Sequence, residues 1–265
     1  MSAARFRALV GEVRDVGTVL TADDDTASVG AVGVSGMLAE QLVKELGAGA
    51  APGAVVVGGA ELVDRAEVLV RIVAGDPTDE DEQPVRAADA RGVPVVIVQL
   101  WPQADWTTPF VLTPFVVECR AGEGFPVDEI SDRIAEATEN AAVVGSRAPV
   151  IAEASRDGLV KGAVVRSTLI ALAGSRAARP LLTLEQVRML MQLRTVSAGS
   201  GAEDDLRLRA GGAAAVFAAG FAFRGVARSL RAVLPAPIAH ATVAAAGTWA
   251  LAKTYELVES RLPNA

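Results

Sequence analysis

AEVLVRIVAGDPTDEDEQPVRAADARGVPVVIVQLW, residues 66–101, settles the architecture of the first half of this chain. Two apolar runs, 68–73 and 95–98, are too short for ordinary helices and rich in β-branched residues, so they read as buried strands. Between them, Asp79, Glu80, Asp81 and Glu82 suit the positive end of a helix, residues 85–91 continue it, and Gly92-Val93-Pro94 stops it. Strand, helix and strand in this order make a βαβ unit, whose connection forces the two strands to be parallel.

On either side of that unit the same alternation continues. Upstream, SVGAVGVSGMLAEQLVKELG reads as a short strand near residues 29–34, a small-residue turn, and a helix with Leu38, Leu42 and Leu46 on one stripe, closed by Gly47. Residues 54–57 form another buried strand, and residues 61–65 a brief helical turn. Downstream, residues 110–112 and 115–118 are extended, and the loop of Gly122 and Gly124 with Pro126 starts a helix carrying Ile130, Ile134 and Ala137. At the amino end, Phe6, Leu9, Val10, Val13, Val16 and Leu20 recur at helical spacing over residues 4–20. The expected fold class for residues 1–146 is α/β, a mostly parallel sheet covered on both faces.

From about residue 147 the strand signals disappear, and residues 147–265 read as an all-α helical domain. Residues 159–172 predict a helix. Thr183-Leu184-Glu185-Gln186 fits a capping box, with Leu184, Val187, Leu190 and Met191 behind it, and residues 196–203 read as a link. Residues 205–232 and 236–262 predict two long, alanine-rich helices separated by the turn at Pro235 and Pro237. The apolar stretch 212–223 is too short for a membrane span of about 20 residues. Residues 233–252 are long enough but hold two prolines, a histidine and eight alanines, so a hairpin buried in protein is preferred over one inserted in lipid.

Composition narrows the chemistry. Of 265 residues, 51% are hydrophobic, 22% charged and 4% aromatic, with a mean hydropathy of +0.35 carried largely by alanine. One cysteine, Cys119, excludes an intramolecular disulfide and fits a reducing, cytoplasmic setting. One histidine, His240, beside that single cysteine leaves no basis for a zinc site of protein N and S ligands, and the aspartates of residues 21–28 lack the EF-hand calcium spacing. The first residues, MSAARFRALVGEVRDV, lack an apolar core segment, so no secretory signal is expected. Residues 1–150 hold 11 Lys and Arg against 24 Asp and Glu, a net charge of −13, whereas residues 151–265 hold 14 against 8, a net of +6. That asymmetry suggests docking between the halves or attraction of the second half to something anionic, and an isoelectric point near 4.9 argues against nucleic acid.

Familiar catalytic motifs are missing. The glycines Gly30, Gly33 and Gly36 are spaced three apart, unlike the G-x-G-x-x-G of dinucleotide sites. In the best P-loop register, Gly33, Ser35, Gly36 and Met37 stand at the phosphate position, with Met37 and Leu38 where lysine and the Mg²⁺-binding hydroxyl belong. Gly33-Val34-Ser35-Gly36-Met37 misses the nucleophile elbow at its last position. Cys119 reads as a buried inert thiol and His240 as a helix-packing side chain. Trp101 and Trp106, flanking Pro102, either pack over the sheet edge or form a partner-binding hot spot.

On these residues the chain resembles an Era-like GTPase. RAEVLVRIVAG is similar to that family's strand after switch II, and DPTDEDEQPVRAADARGVPVVIVQL to the helix and strand leading to its guanine-reading motif. In a gapless register from Pro94, the family's N-K-x-D falls on Leu100, Trp101, Pro102 and Gln103, and its later S-A-K loop on residues 118–124. LTLEQVRMLMQL, the proline turn and T-W-A-L-A near Thr248 resemble a helical domain of uncharacterised function appended to many bacterial Era-like GTPases and found in some inner-membrane proteins. The resemblance implies a GTPase-like fold whose nucleotide chemistry does not carry over, because the lysine and the guanine-binding aspartate are replaced. The expected function is a non-catalytic pseudo-GTPase: a cytoplasmic scaffold or regulatory protein, without cofactor or metal, that engages a protein partner or a second copy of itself. Trp101, Trp106, Arg224, Arg228 and Arg231 are the interaction candidates, the arginines also for an anionic membrane surface met through residues 205–262. Two alternatives stay open: a nucleotide or phosphate ligand at the turn of residues 30–36, and a membrane-inserted helical hairpin.

Overall fold

The computed structural model of the chain describes residues 30–59, 62–75, 77–102, 115–173, 178–198 and 235–261. Five strands form one sheet: β1 (Ala31–Gly36), β2 (Val55–Val57), β3 (Ala66–Ala74), β4 (Val95–Leu100) and β5 (Val116–Cys119). Their order is β2-β1-β3-β4-β5 and every pairing is parallel. The expected α/β architecture is therefore present, and the β3–β4 unit at its centre is the one legible in residues 66–101.

Helices cover both faces because the strands are apolar on both. On one face, Val32, Val34, Val68, Val70, Ile72, Val96 and Val98 pack with Leu42 and Leu46 of α1 (Ala39–Leu46) and with Ile130 and Ile134 of α3 (Val127–Ala137). On the other, Leu69, Val73, Val95 and Ile97 meet Val63 and the Val85 and Ala88 side chains of α2 (Asp79–Ala90). The alternation along β3 and β4 is thus a division between two cores, not between core and solvent.

Among the described residues four further helices follow: α4 (Ala141–Arg147), α5 (Pro149–Leu172), α6 (Ala178–Ala198) and α7 (Ala236–Arg261). They build a second core from Ala141, Leu159, Val160, Ala163, Met189, Leu190, Leu193, Leu251 and Ala252. Packing is continuous across residue 147: Val144 and Ile151 sit in the core beneath the sheet, while Ala141 and Ala142 sit in the helical one. Gly145 lets α4 approach this closely, since a Cβ there would lie 2.7 Å from the Ser155 Cβ. Inside the helical layer, Gln186 Nε2–H donates to Thr248 Oγ1 at 3.3 Å, and the Thr248 hydroxyl donates to Ser167 Oγ at 3.1 Å.

Several boundaries differ from the sequence reading. The strand expected at residues 29–34 runs from Ala31 to Gly36, so Gly33 and Ser35 are strand residues and the turn shrinks to Met37 and Leu38. The helix expected at 159–172 begins ten residues earlier, at Pro149, where a missing N–H and a fixed φ suit the first helical position. Thr183 is not a helix start: α6 already runs from Ala178, with Pro180 in its first turn, and it continues to Ala198 through the beginning of the expected link. The short helix α4 has no counterpart in the sequence reading. The helices expected at 4–20 and 205–232 and the strand at 110–112 lie outside the described residues. Among the described residues, no helix is long and apolar enough to cross a membrane.

Candidate functional site

In an open parallel sheet, ligands and partners meet the carboxyl ends of the strands where the chain direction of the connections reverses. Here that reversal falls between β1, which leads to β2 on one side, and β3 on the other. The edge is made by Gly36 and the two turn residues after it, by Gly75, and by Trp101 at the end of β4.

At β1 the edge is closed rather than cradling. Gly36 adopts φ +105°, and a Cβ there would lie 2.1 Å from the Ile72 carbonyl oxygen of β3, so the backbone of β1 lies directly against its neighbour. Met37 and Leu38 then carry the chain into α1, with Leu38 left-handed at φ 61°. The Leu38 carbonyl accepts the N–H groups of Gln41 at 3.0 Å and Leu42 at 3.1 Å. Both turn side chains face solvent, Met37 at 52% and Leu38 at 46% exposure. Neither turn residue carries the lysine or the hydroxyl with which a P-loop holds phosphate and Mg²⁺.

At β4 the expected guanine-reading positions divide. Leu100 is buried against the core shared with α3, whereas Trp101 stands 49% exposed. Trp101 is held by its N–H donating to the Cys119 carbonyl at 2.8 Å, and it is left-handed at φ 53°. A bulky side chain in that region costs about 1–2 kcal/mol and persists only where surrounding contacts impose it. The loop after β5 turns at Gly122, and buried Cys119 lies beneath it with its thiol donating to the Gly124 carbonyl at 3.5 Å. Burial, with Glu123 and Glu45 nearby, pushes that thiol above its ordinary range and keeps it protonated at neutral pH.

On the face that α2 covers, below this edge, three polar side chains interrupt the apolar strands. Ser35 pairs in register with Arg71, Arg71 with Ile97, and Gln99 follows two residues on in β4, pointing to the same face. Arg71 Nη2 bonds Asp81 Oδ1 at 2.6 Å, and both side chains are largely buried. The Asp81 carboxylate also accepts the backbone N–H and the hydroxyl of Thr78, each at 2.9 Å. Burial alone raises the Asp81 pKa, but the Thr78 backbone, the Arg71 guanidinium and the Thr78 hydroxyl outweigh it and hold the carboxyl below its usual range. Ser35 Oγ, Arg71 Nε and both polar atoms of the Gln99 carboxamide have no hydrogen-bond partner.

Of the residues expected to carry function, the structure brings Gly36, Met37 and Trp101 to one edge, places Gly33 inside β1, and buries Ser35 and Leu100. Gln103, Trp106, Arg224, Arg228 and Arg231 lie outside the described residues. Sequence reasoning missed Arg71 and Gln99, and read Asp81 as part of the acidic helix start without its partner on β3. Their signal was present, as a charge inside VLVRIV and an amide inside VVIVQL, in strands otherwise apolar on both faces. No group of three or more His, Cys, Asp or Glu able to hold a metal ion occurs among the described residues. Compared with protein-family models, curated proteins and solved structures, the chain matches none.

Proposed function

We propose that this protein is a non-catalytic, GTPase-like scaffold that binds a protein partner through the carboxyl edge of its sheet. The observation that carries the reading is the rim of Met37, Leu38 and Trp101. Three large apolar side chains are exposed where a nucleotide-binding protein of this architecture would present backbone N–H groups, a lysine and a guanine acceptor. Exposed apolar groups on an edge held by strained backbone are costly to keep unless something covers them. Tryptophan and methionine are enriched at protein interfaces, where one buried aromatic anchor can carry much of the affinity.

The test has two arms. Titration with GTP and GDP is expected to give no binding at micromolar concentration. Crosslinking and recovery from native cells is expected to yield a partner, or a second copy of the chain, with the wild type but not with Trp101→Ala or Met37→Asp. Micromolar nucleotide binding, or recovery indifferent to both substitutions, overturns the proposal.

A further inference from the structure

We infer that the partner met by the apolar rim presents a basic amphipathic helix. The inference rests on reading Met37, Leu38 and Trp101 as a partner edge, and charge selects the chemistry of what meets it. In a parallel sheet with helical connections each helix begins at the carboxyl edge, so the first turns of α1, α2 and α3 surround the rim. Those turns carry Glu40, Asp79, Glu80, Asp128 and Glu129, all exposed, and the loop after β5 adds exposed Glu123. Among the described residues of these turns and loops, Arg120 is the one exposed cation. A helix start contributes roughly half a positive charge, so three of them offset only about 1.5 of these carboxylate charges. The border stays negative, which repels phosphates and anionic lipid and attracts cationic side chains.

The shape of the rim fits a helix. Gly36 pairs with Ile72 and Leu100 with Ala74, so the ends of β1 and β4 stand one on either side of β3. Strand spacing places them about 10 Å apart. Gly75 follows β3 in that gap, and a Cβ there would meet nothing within 4 Å, so the chain leaves β3 without a side chain between Leu38 and Trp101. Residues i and i+7 of a helix lie about 10.5 Å apart on one face, which matches that span. An apolar stripe at this spacing would cover Leu38 and Trp101 together, while lysine or arginine on its flanks would meet Glu40, Asp79, Glu80 and Glu123. The border is made of strand ends rather than a strand flank, so an extended peptide would find no ladder to join.

Two fluorescein-labelled helical peptides of equal length serve as probes, with the same leucine stripe and either lysine or glutamate on the polar face. Each is titrated against the full chain by fluorescence anisotropy. The lysine peptide is expected to bind saturably and the glutamate peptide not, and added salt should weaken the lysine peptide. Trp101→Ala is expected to abolish that binding. Glu80→Lys combined with Glu123→Lys, exposed residues of two different elements, is expected to weaken the lysine peptide roughly tenfold and to strengthen the glutamate one. Equal binding of the two peptides, or lysine-peptide binding indifferent to Trp101→Ala or to the charge reversals, overturns the basic class. So does concentration-dependent self-association that Trp101→Ala abolishes, since the rim then belongs to a second copy of the chain. Failure of both peptides, while recovery from native cells still requires Trp101 and Met37, overturns this inference alone and leaves the partner edge standing.

Discussion

Arg71 of β3 and Asp81 of α2 meet at 2.6 Å, tying the first turn of the helix to the strand that precedes it. Asp81 at the same time receives the Thr78 N–H, so one carboxylate both caps α2 and anchors it to the sheet. The folded carboxyl titrates below its ordinary value of 3.8. Its stabilisation is therefore fully present above that value and is lost as pH falls through the lower folded pKa. Asp81→Asn is expected to cost about 1.5–3 kcal/mol at neutral pH, the range for hydrogen bonds to charged groups. It should also flatten the acid limb of the stability profile below about pH 4. Urea melts of both proteins across that range check this.

Gly36 and Gly53 both adopt positive φ, but only Gly36 has a neighbour in the way. Gly53→Ala should lose only the backbone preference, about 1 kcal/mol. Gly36→Ala should lose more, because the new methyl collides with the Ile72 carbonyl and β1 must separate from β3 to accept it. Paired denaturation curves, with hydrogen exchange at Ile72, distinguish the two.

Trp101→Gly removes a left-handed tryptophan and is expected to leave folding stability unchanged or higher by up to about 1 kcal/mol. The same substitution should abolish partner recovery. Stability that moves opposite to binding is the signature of a side chain retained for contact with another molecule.

Replacing Gln99 with leucine, or Ser35 with alanine, removes unpaired buried polar atoms from an apolar layer. Each is expected to raise stability, by up to about 1–3 kcal/mol for the leucine. A thermal melt reads this directly.

Ile134 and Met189 are fully buried, one beneath the sheet and one among the helices. Truncating either to alanine should cost about 2–5 kcal/mol. Because α4 contributes side chains to both cores, each truncation is expected to shift a single cooperative transition, with fluorescence and circular dichroism curves coinciding.

How much was legible follows from what kind of information each feature needs. β3, α2 and β4 were readable because β-branched runs, an acidic helix start and Gly-Val-Pro act locally, within a few residues of where they sit. The start of α6 was misread because Thr183 carries a genuine capping pattern, yet the helix already runs from Ala178 and passes through it. The seven residues of α4 hold too few large side chains to show a period, and the helix exists because two cores meet on it. Ser35, Arg71 and Gln99 were visible as interruptions, but only strand register places them on one face. Nothing local marks Trp101 as left-handed: its conformation follows from the Cys119 carbonyl that its N–H must reach.

Among the described residues, the two outermost strands of the sheet, β2 and β5, are also its shortest, at three and four residues. A long flat border would invite another chain to add a strand by backbone pairing, the usual route to runaway aggregation. These borders offer too little ladder for that. The proposed partner is therefore expected to be met through side chains rather than by strand addition, so its binding should respond to single substitutions.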